Sequence, residues 1–145
     1  MAIALLNHQW VIDRLKAQVA LLKRVSGAAE IAAAAEDLKQ APAAFVVPGS
    51  ERASGSSSGT LVVSQSNAVR LGVVLAVQNL RDPVGEKAQS DLLEVREAIM
   101  TALHGWQPSD DFDPLEFGGG RMLSLTDQVL WWQDDFLTSH FMRSL

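Results

Sequence analysis

Residues 129–141, VLWWQDDFLTSHF, set two tryptophans side by side in a segment that reads as a strand. Successive side chains of a strand point to opposite faces. One face carries Leu130, Trp132, Asp134, Phe136, Thr138 and His140. The other carries Val129, Trp131, Gln133, Asp135, Leu137, Ser139 and Phe141. Neither face is polar, and a strand with apolar residues on both sides is covered on both sides. One indole therefore enters the protein's own core, and the other needs a separate cover. The adjacent carboxylates of Asp134 and Asp135 diverge in the same way, so they do not form an acid–base pair.

Working outward, residues 115–126 (LEFGGGRMLSLT) read as the preceding strand, joined to 129–141 by a turn at Asp127-Gln128. Three glycines between two extended flanks predict a bulge; a phosphate-cradling loop would instead lead from a strand into a helix. Residues 60–79 are the clearest strand, with Val69, Leu71, Val73, Leu75 and Val77 alternating toward a core. Their opposite face is mostly small: Ser64, Ser66, Ala68, Arg70, Gly72, Val74 and Ala76. AAFVVPG (43–49) is a short strand, and GSERASGSSSG (49–59) has the composition of a flexible loop, or of an arm that orders on a partner. Glu51 and Arg52 are its only charged residues.

Three helices are expected. The first has Asn7 as N-cap and Ile12, Leu15, Val19 and Leu22 on its apolar face. The second is alanine-rich, begins after Ser26-Gly27, points Ile31, Ala35 and Leu38 inward, and stops at Pro42. The third spans about 86–104, buries Ala88, Leu92, Val95, Ile99 and Leu103, and ends on Gly105. The order predicts an α+β fold: a mixed, mainly antiparallel sheet of about four strands with two or three helices packed on one face. The whole chain, 1–145, fits a single domain.

Composition excludes more than it assigns. Twelve bases against seventeen acids give a net charge of −5, and Lys23-Arg24 is the one adjacent basic pair, placed where a helix ends. A nucleic-acid-binding module would instead show clustered cations. There is no cysteine for disulfide or thiolate chemistry. No segment reads as a membrane span or an export signal, which makes the cytoplasm the expected site of synthesis. His8, His104 and His140 stand apart from one another and from any ligand spacing, and no serine lies in a nucleophile elbow. Asp110, Asp111 and Asp113 read as solvated loop charges. No catalytic, cofactor-binding or metal-binding residue is expected. A tryptophan buries roughly 150–250 Å², so an indole left on an open sheet face marks an interface. The expectation is a homo-oligomer, and a ring if the contact is heterologous.

Five blocks add a family resemblance: PAAFVVPGSERASG (42–55), RLGVVLAVQNLRD (70–82), VREAIMTALHGWQP (95–108), PLEFGGGRMLSL (114–125) and VLWWQDDF (129–136). Together, in this order and spacing, they resemble the tail terminator proteins of long-tailed bacteriophages, closest to those of Mu-like and related phages, over about residues 10–143. The resemblance implies a non-enzymatic virion protein of the tail and neck, assembled in the host cytoplasm. It implies a hexameric ring on the head-proximal end of the tail tube that stops tube polymerisation and presents a surface to the head-proximal connector. DNA would pass through the lumen without specific binding, and no membrane is involved. On this reading Trp131, Trp132, Phe136, Leu137 and Phe141 are candidates for the subunit interface. Glu51, Arg52, Ser56, Ser57 and Arg70 are candidates for contact with the tail tube or connector. A head-completion or connector protein of the neck is the alternative within the same class, and a small cytoplasmic enzyme is the remote one.

Overall fold

The structure of the chain, a computed structural model, describes residues 3–36, 38–78, 86–126 and 128–144, the stretch 86–90 through its backbone only. Helix α1 (His8–Gln18) starts where expected: Asn7 is extended, and its side-chain oxygen accepts the Gln9 amide hydrogen at 3.0 Å. That bond satisfies one of the N–H groups a helix start leaves unpaired. α1 buries Val11, Ile12 and Leu15. Helix α3 (Glu86–Leu103) turns Leu92, Val95, Ile99 and Leu103 inward. It ends at Gly105, whose φ of +80° is a backbone conformation that side chains disfavour. The Gly105 amide then bonds to the Leu115 carbonyl, and the Leu115 amide to the Trp106 carbonyl. This anchors the loop at Trp106, which packs against the core.

Five strands form one sheet: β1 (Arg24–Gly27), β2 (Ala43–Ala53), β3 (Ser64–Gln78), β4 (Glu116–Thr126) and β5 (Val129–Arg143). Their spatial order is β1-β2-β3-β5-β4. β1 runs parallel to β2, and every other pairing is antiparallel. The count exceeds the expected four because Arg24–Gly27, by sequence the end of one helix and the break before the next, forms β1. Four residues containing Ser26 and Gly27 carry no strand signal of their own; only the neighbouring β2 holds them extended. The expected second helix is correspondingly shorter, a 3-10 turn at Ala28–Glu30 followed by α2 (Ile31–Glu36). The expected turn at 81–87 falls largely outside the described residues, as does Asp127. Gln128, at φ +63°, supplies the left-handed backbone where β5 begins.

The region expected to be a flexible loop, 49–59, also departs from its composition. Its first five residues belong to β2, which continues past a bulge between Pro48 and Glu51 to pair Glu51 with Val69, Arg52 with Ala68 and Ala53 with Asn67. Beyond the strand, the amides of Ser54 and Ser57 still bond to the carbonyls of Ser66 and Ser64. Because β5 runs beside β3 as far as Arg143, the outer ends of β2, β3 and β5 form one projecting arm. Backbone pairing to one long neighbour, β3, overrides a Gly/Ser-rich composition.

Two apolar clusters lie on opposite sides of the sheet. The larger holds α1 and α3 against Ala44, Val46, Leu71, Val73, Leu75, Val77, Leu130 and Phe136. The smaller sets α2, through Ala34 and Ile31, against Phe45, Val74, Ala76 and Trp131. The two long helices thus share one face, as expected, and the short α2 occupies part of the other. Ile99, fully buried between α3 and the sheet, tests this arrangement: Ile99→Ala should lower unfolding stability by about 2–5 kcal/mol. A urea titration should show the midpoint falling with little change in slope.

Candidate assembly surface

The two tryptophans have different partners within the protomer. Trp132 lies on the α1/α3 face, where its indole N–H donates to Asp134 Oδ1 at 2.9 Å and the Arg96 guanidinium stands 4.5 Å above its ring. Arg96 holds the same carboxylate with two bonds, from Nε to Oδ2 at 3.0 Å and from Nη2 to Oδ1 at 2.9 Å. The Asp134 side chain is 1% exposed, so an uncompensated charge there would be expensive. Gly120 on β4 makes room for it: a Cβ at that position would sit 2.4 Å from Asp134 Oδ1. This three-residue cluster ties α3 to β5.

Trp131 lies on the opposite face, stacked on Phe45 at 6.1 Å between ring centres. A cleft of about 210 Å³ opens beside it, between α2 and the end of the sheet. The second indole therefore has partial cover from its own chain, supplied by the short helix. Further along the same face Asp135 is met by Arg70 Nη1 at 2.6 Å and by Gln133 Nε2 at 2.8 Å. Arg121 reaches Gln133 at 3.4 Å from β4. The adjacent aspartates each have their own arginine, one on either side of the sheet, and form no catalytic pair.

Of the residues expected at a subunit interface, Phe136 does not qualify as a contact: it is fully enclosed by the protomer's own core and packs edge-on against Phe117. Trp131, Trp132 and Leu137 are half-buried, and Phe141 is 77% exposed. The five residues are thus split between two faces and the interior. Those expected to meet a tube or connector gather better. Glu51, Arg52, Ser56 and Ser57 all lie on the arm, exposed, with Glu51 accepting from Asn67 Nδ2 at 2.9 Å. Ser56 also braces the arm, its hydroxyl accepting the Ser64 amide hydrogen. Arg70 sits at the arm's base, committed to Asp135.

Sequence reading overlooked the exposed apolar side chains of β4, namely Phe117, Met122, Leu123 and Leu125, and those at the arm, Leu61 and Val63. The signal is present, since three of the four β4 residues fall within residues 122–125, but it is weaker than that of the more aromatic β5. No group of three or more His, Cys, Asp or Glu among the described residues is arranged to hold a metal. No described helix is long and apolar enough to cross a membrane.

At the base of the arm, Asn67 Nδ2 lies 3.0 Å from His140 Nε2, and the buried His140 ring stacks on Phe112. Nearby, His8 has a buried Nε2 with no hydrogen-bond partner. Burial pushes its pKa below the ordinary 6.5, and the adjacent Glu51 carboxylate offsets this only in part.

The chain is thus a small α+β domain with two carboxylate–arginine pairs, one on each face of the sheet, and exposed apolar side chains on β4 and the arm. The chain belongs to the phage tail terminator protein family, whose pattern it matches over residues 1–144, and it is therefore a structural component of a phage-type virion tail. Among solved structures it resembles a chain of the virion of a native gene transfer agent particle, at 14% identity, with a TM-score of 0.54 and 94% of each chain covered. That likeness is one of fold. No curated protein sequence matches.

Two outcomes test the site's internal chemistry. Arg96→Ala strands the buried Asp134 carboxylate, and should cost about 3–5 kcal/mol of stability in thermal or urea unfolding. For His8, the folded state disfavours the proton that the unfolded chain accepts. Its contribution is thus present above pH 6.5 and lost as pH falls through the lower, folded pKa. His8→Gln should flatten that part of a stability–pH profile measured by thermal melts.

Proposed function

We propose that the protein forms a ring, of six copies by the family resemblance, on the head-proximal end of the tail tube, where it stops polymerisation and offers a surface for head–tail joining. The observation that carries this reading is the family match over essentially the whole chain. The fold agrees with it physically. The protein works by binding: its buried charges are neutralised in pairs, while its unsatisfied surface is apolar and lies at the sheet's margins. Such surface favours association with other protein chains.

In this reading residues 1–145 act as one assembly unit. The polar side of the arm, with Arg52 and the serines around it, is the candidate contact with the tube or connector. Trp131, Leu137 and Phe141 stay candidates for contact between subunits, with Trp132 at the margin of the opposite face. The net negative charge suits a lumen along which DNA slides without adhering, because the counterion release that drives DNA binding needs clustered cations. Assembly would take place in the host cytoplasm and the product would reside in the tail or neck of the virion.

Adding the purified protein to polymerising tail-tube subunits should halt growth and leave a ring at one end of each tube, seen by negative-stain electron microscopy. Tubes of unchanged length and bare ends, with the protein bound instead to isolated connectors, would favour a head-completion or connector role.

A further inference from the structure

Among the described residues, exposed large apolar side chains remain at Ile3, Leu5, Leu21, Leu93 and Leu123 and in two strand-borne sets, one along β4 and one at the end of the arm. The first is on the helix-bearing face of β4, where Phe117, Met122 and Leu125 are 41%, 56% and 47% exposed. Their register partners Phe136, Trp132 and Leu130 fix that face. α1 lies over β1 and β2 and α3 over β3, with Arg96 reaching β5, so these helices leave this margin of the sheet exposed among the described residues. The second set is at the end of the arm, where Leu61, Phe141 and Val63 are 102%, 77% and 47% exposed. Hydrogen bonds between Val63 and Ser144 pin this set to the far end of β5.

We infer that the two sets cover one another between copies: the arm of one subunit, through Leu61 and Phe141, lies on the Phe117–Met122–Leu125 strip of the next. This rests on the ring reading above and names the contact that closes it. Three features point to a second copy of this chain as the occupant. First, the sets differ in make-up and occupy successive stretches of the sheet, the strip beside Leu130 to Phe136 of β5 and the arm end at Phe141 to Ser144, so each can meet the other's set on a neighbour while its own remains free. That is a heterologous contact, the kind that closes into rings. Second, the six side chains expose together on the order of 700 Å² of apolar surface, judged against ~150–250 Å² for an aromatic side chain. Interfaces are only about 57% apolar, so the full contact would fall within the ~1,200–2,000 Å² that specific interfaces bury. Third, β4 cannot act as a simple template for an added strand. It is bulged between Phe117 and Gly119 and again between Met122 and Ser124, and such interruptions break the ladder that edge pairing needs. Side-chain packing is the contact left to it.

The cysteine-free sequence allows a direct test. Met122 pairs with Trp132, while the arm end lies beside Arg143 and Ser144. Eleven strand residues separate these points, about 35 Å at ~3.3 Å per residue. A disulfide needs Cα atoms within ~7 Å, so none can form within one copy. A chain carrying both Leu61→Cys and Met122→Cys, oxidised as the native assembly, should give a denaturing-gel ladder from covalent dimer up to the full ring. Either substitution alone should give monomer. Phe141→Cys with Leu125→Cys is a second pair, read in the same way.

The inference is overturned if native mass spectrometry shows a wild-type ring while neither double variant cross-links, which would leave the arm for the tube or connector. It is also overturned if Leu61→Cys alone gives dimers, since the arms would then meet tip to tip. A wild-type mass that stays monomeric at every concentration would remove the ring reading itself, and this contact with it.

Discussion

The long antiparallel pairing of β3 with β5 is the constraint on which the other features depend. Its register runs unbroken from Ser64 opposite Arg143 to Gln78 opposite Val129. A slip of one residue would turn every side chain of a strand to the wrong face. It would exchange Trp131 with Trp132 and Asp134 with Asp135, stranding two carboxylates away from their arginines. The cost of misplacing a buried charge thus enforces a register that alternating valines and leucines would specify less sharply. The ladder also carries the chain well past the helices, so the arm is a continuation of the core and not a separate appendage.

Much of this was legible because it is local or periodic. The Asn7 cap, the Gly105 stop, the α3 stripe and the alternation of residues 69–77 each follow from backbone sterics and a single period. The parity of residues 129–141 puts the two tryptophans on opposite faces, as the contacts of Trp132 with Arg96 and of Trp131 with Phe45 bear out. The strand β1 was not legible, because Arg24–Gly27 is held extended by a parallel neighbour nineteen residues on. The arm was concealed for the opposite reason. Its serines and glycines describe a chain free to move, and only the adjoining ends of β3 and β5 hold it in place.

The partners of the aspartates were equally beyond reach of the sequence. Asp134 and Asp135 look like rim charges when read alone, yet Arg96 comes from a helix and Arg70 from a neighbouring strand. Burial and pairing are tertiary properties, and they changed the meaning of these residues from solvated to structural. The same holds for Phe136. An aromatic residue on a two-faced strand can serve either core or interface, and the approach of Leu115, Phe117 and α3 assigned it to the core.

The way the sheet ends has a consequence for assembly. A long, flat, unprotected edge tends to recruit any strand and to extend without limit. The proposed ring requires the reverse, joining a fixed number of copies and then stopping. Here β4 is interrupted twice, and at the other side β2 carries Pro48 and a bulge of its own where it passes beyond β1. Backbone pairing between copies is thereby discouraged at both margins, while exposed apolar side chains remain at β4 and at the arm. Contacts made by shaped side chains fix an angle between neighbours more tightly than a sliding ladder does, because register along a ladder can shift by two residues without changing faces. A fixed angle is what allows a ring to close, and closure is what leaves no free end for growth.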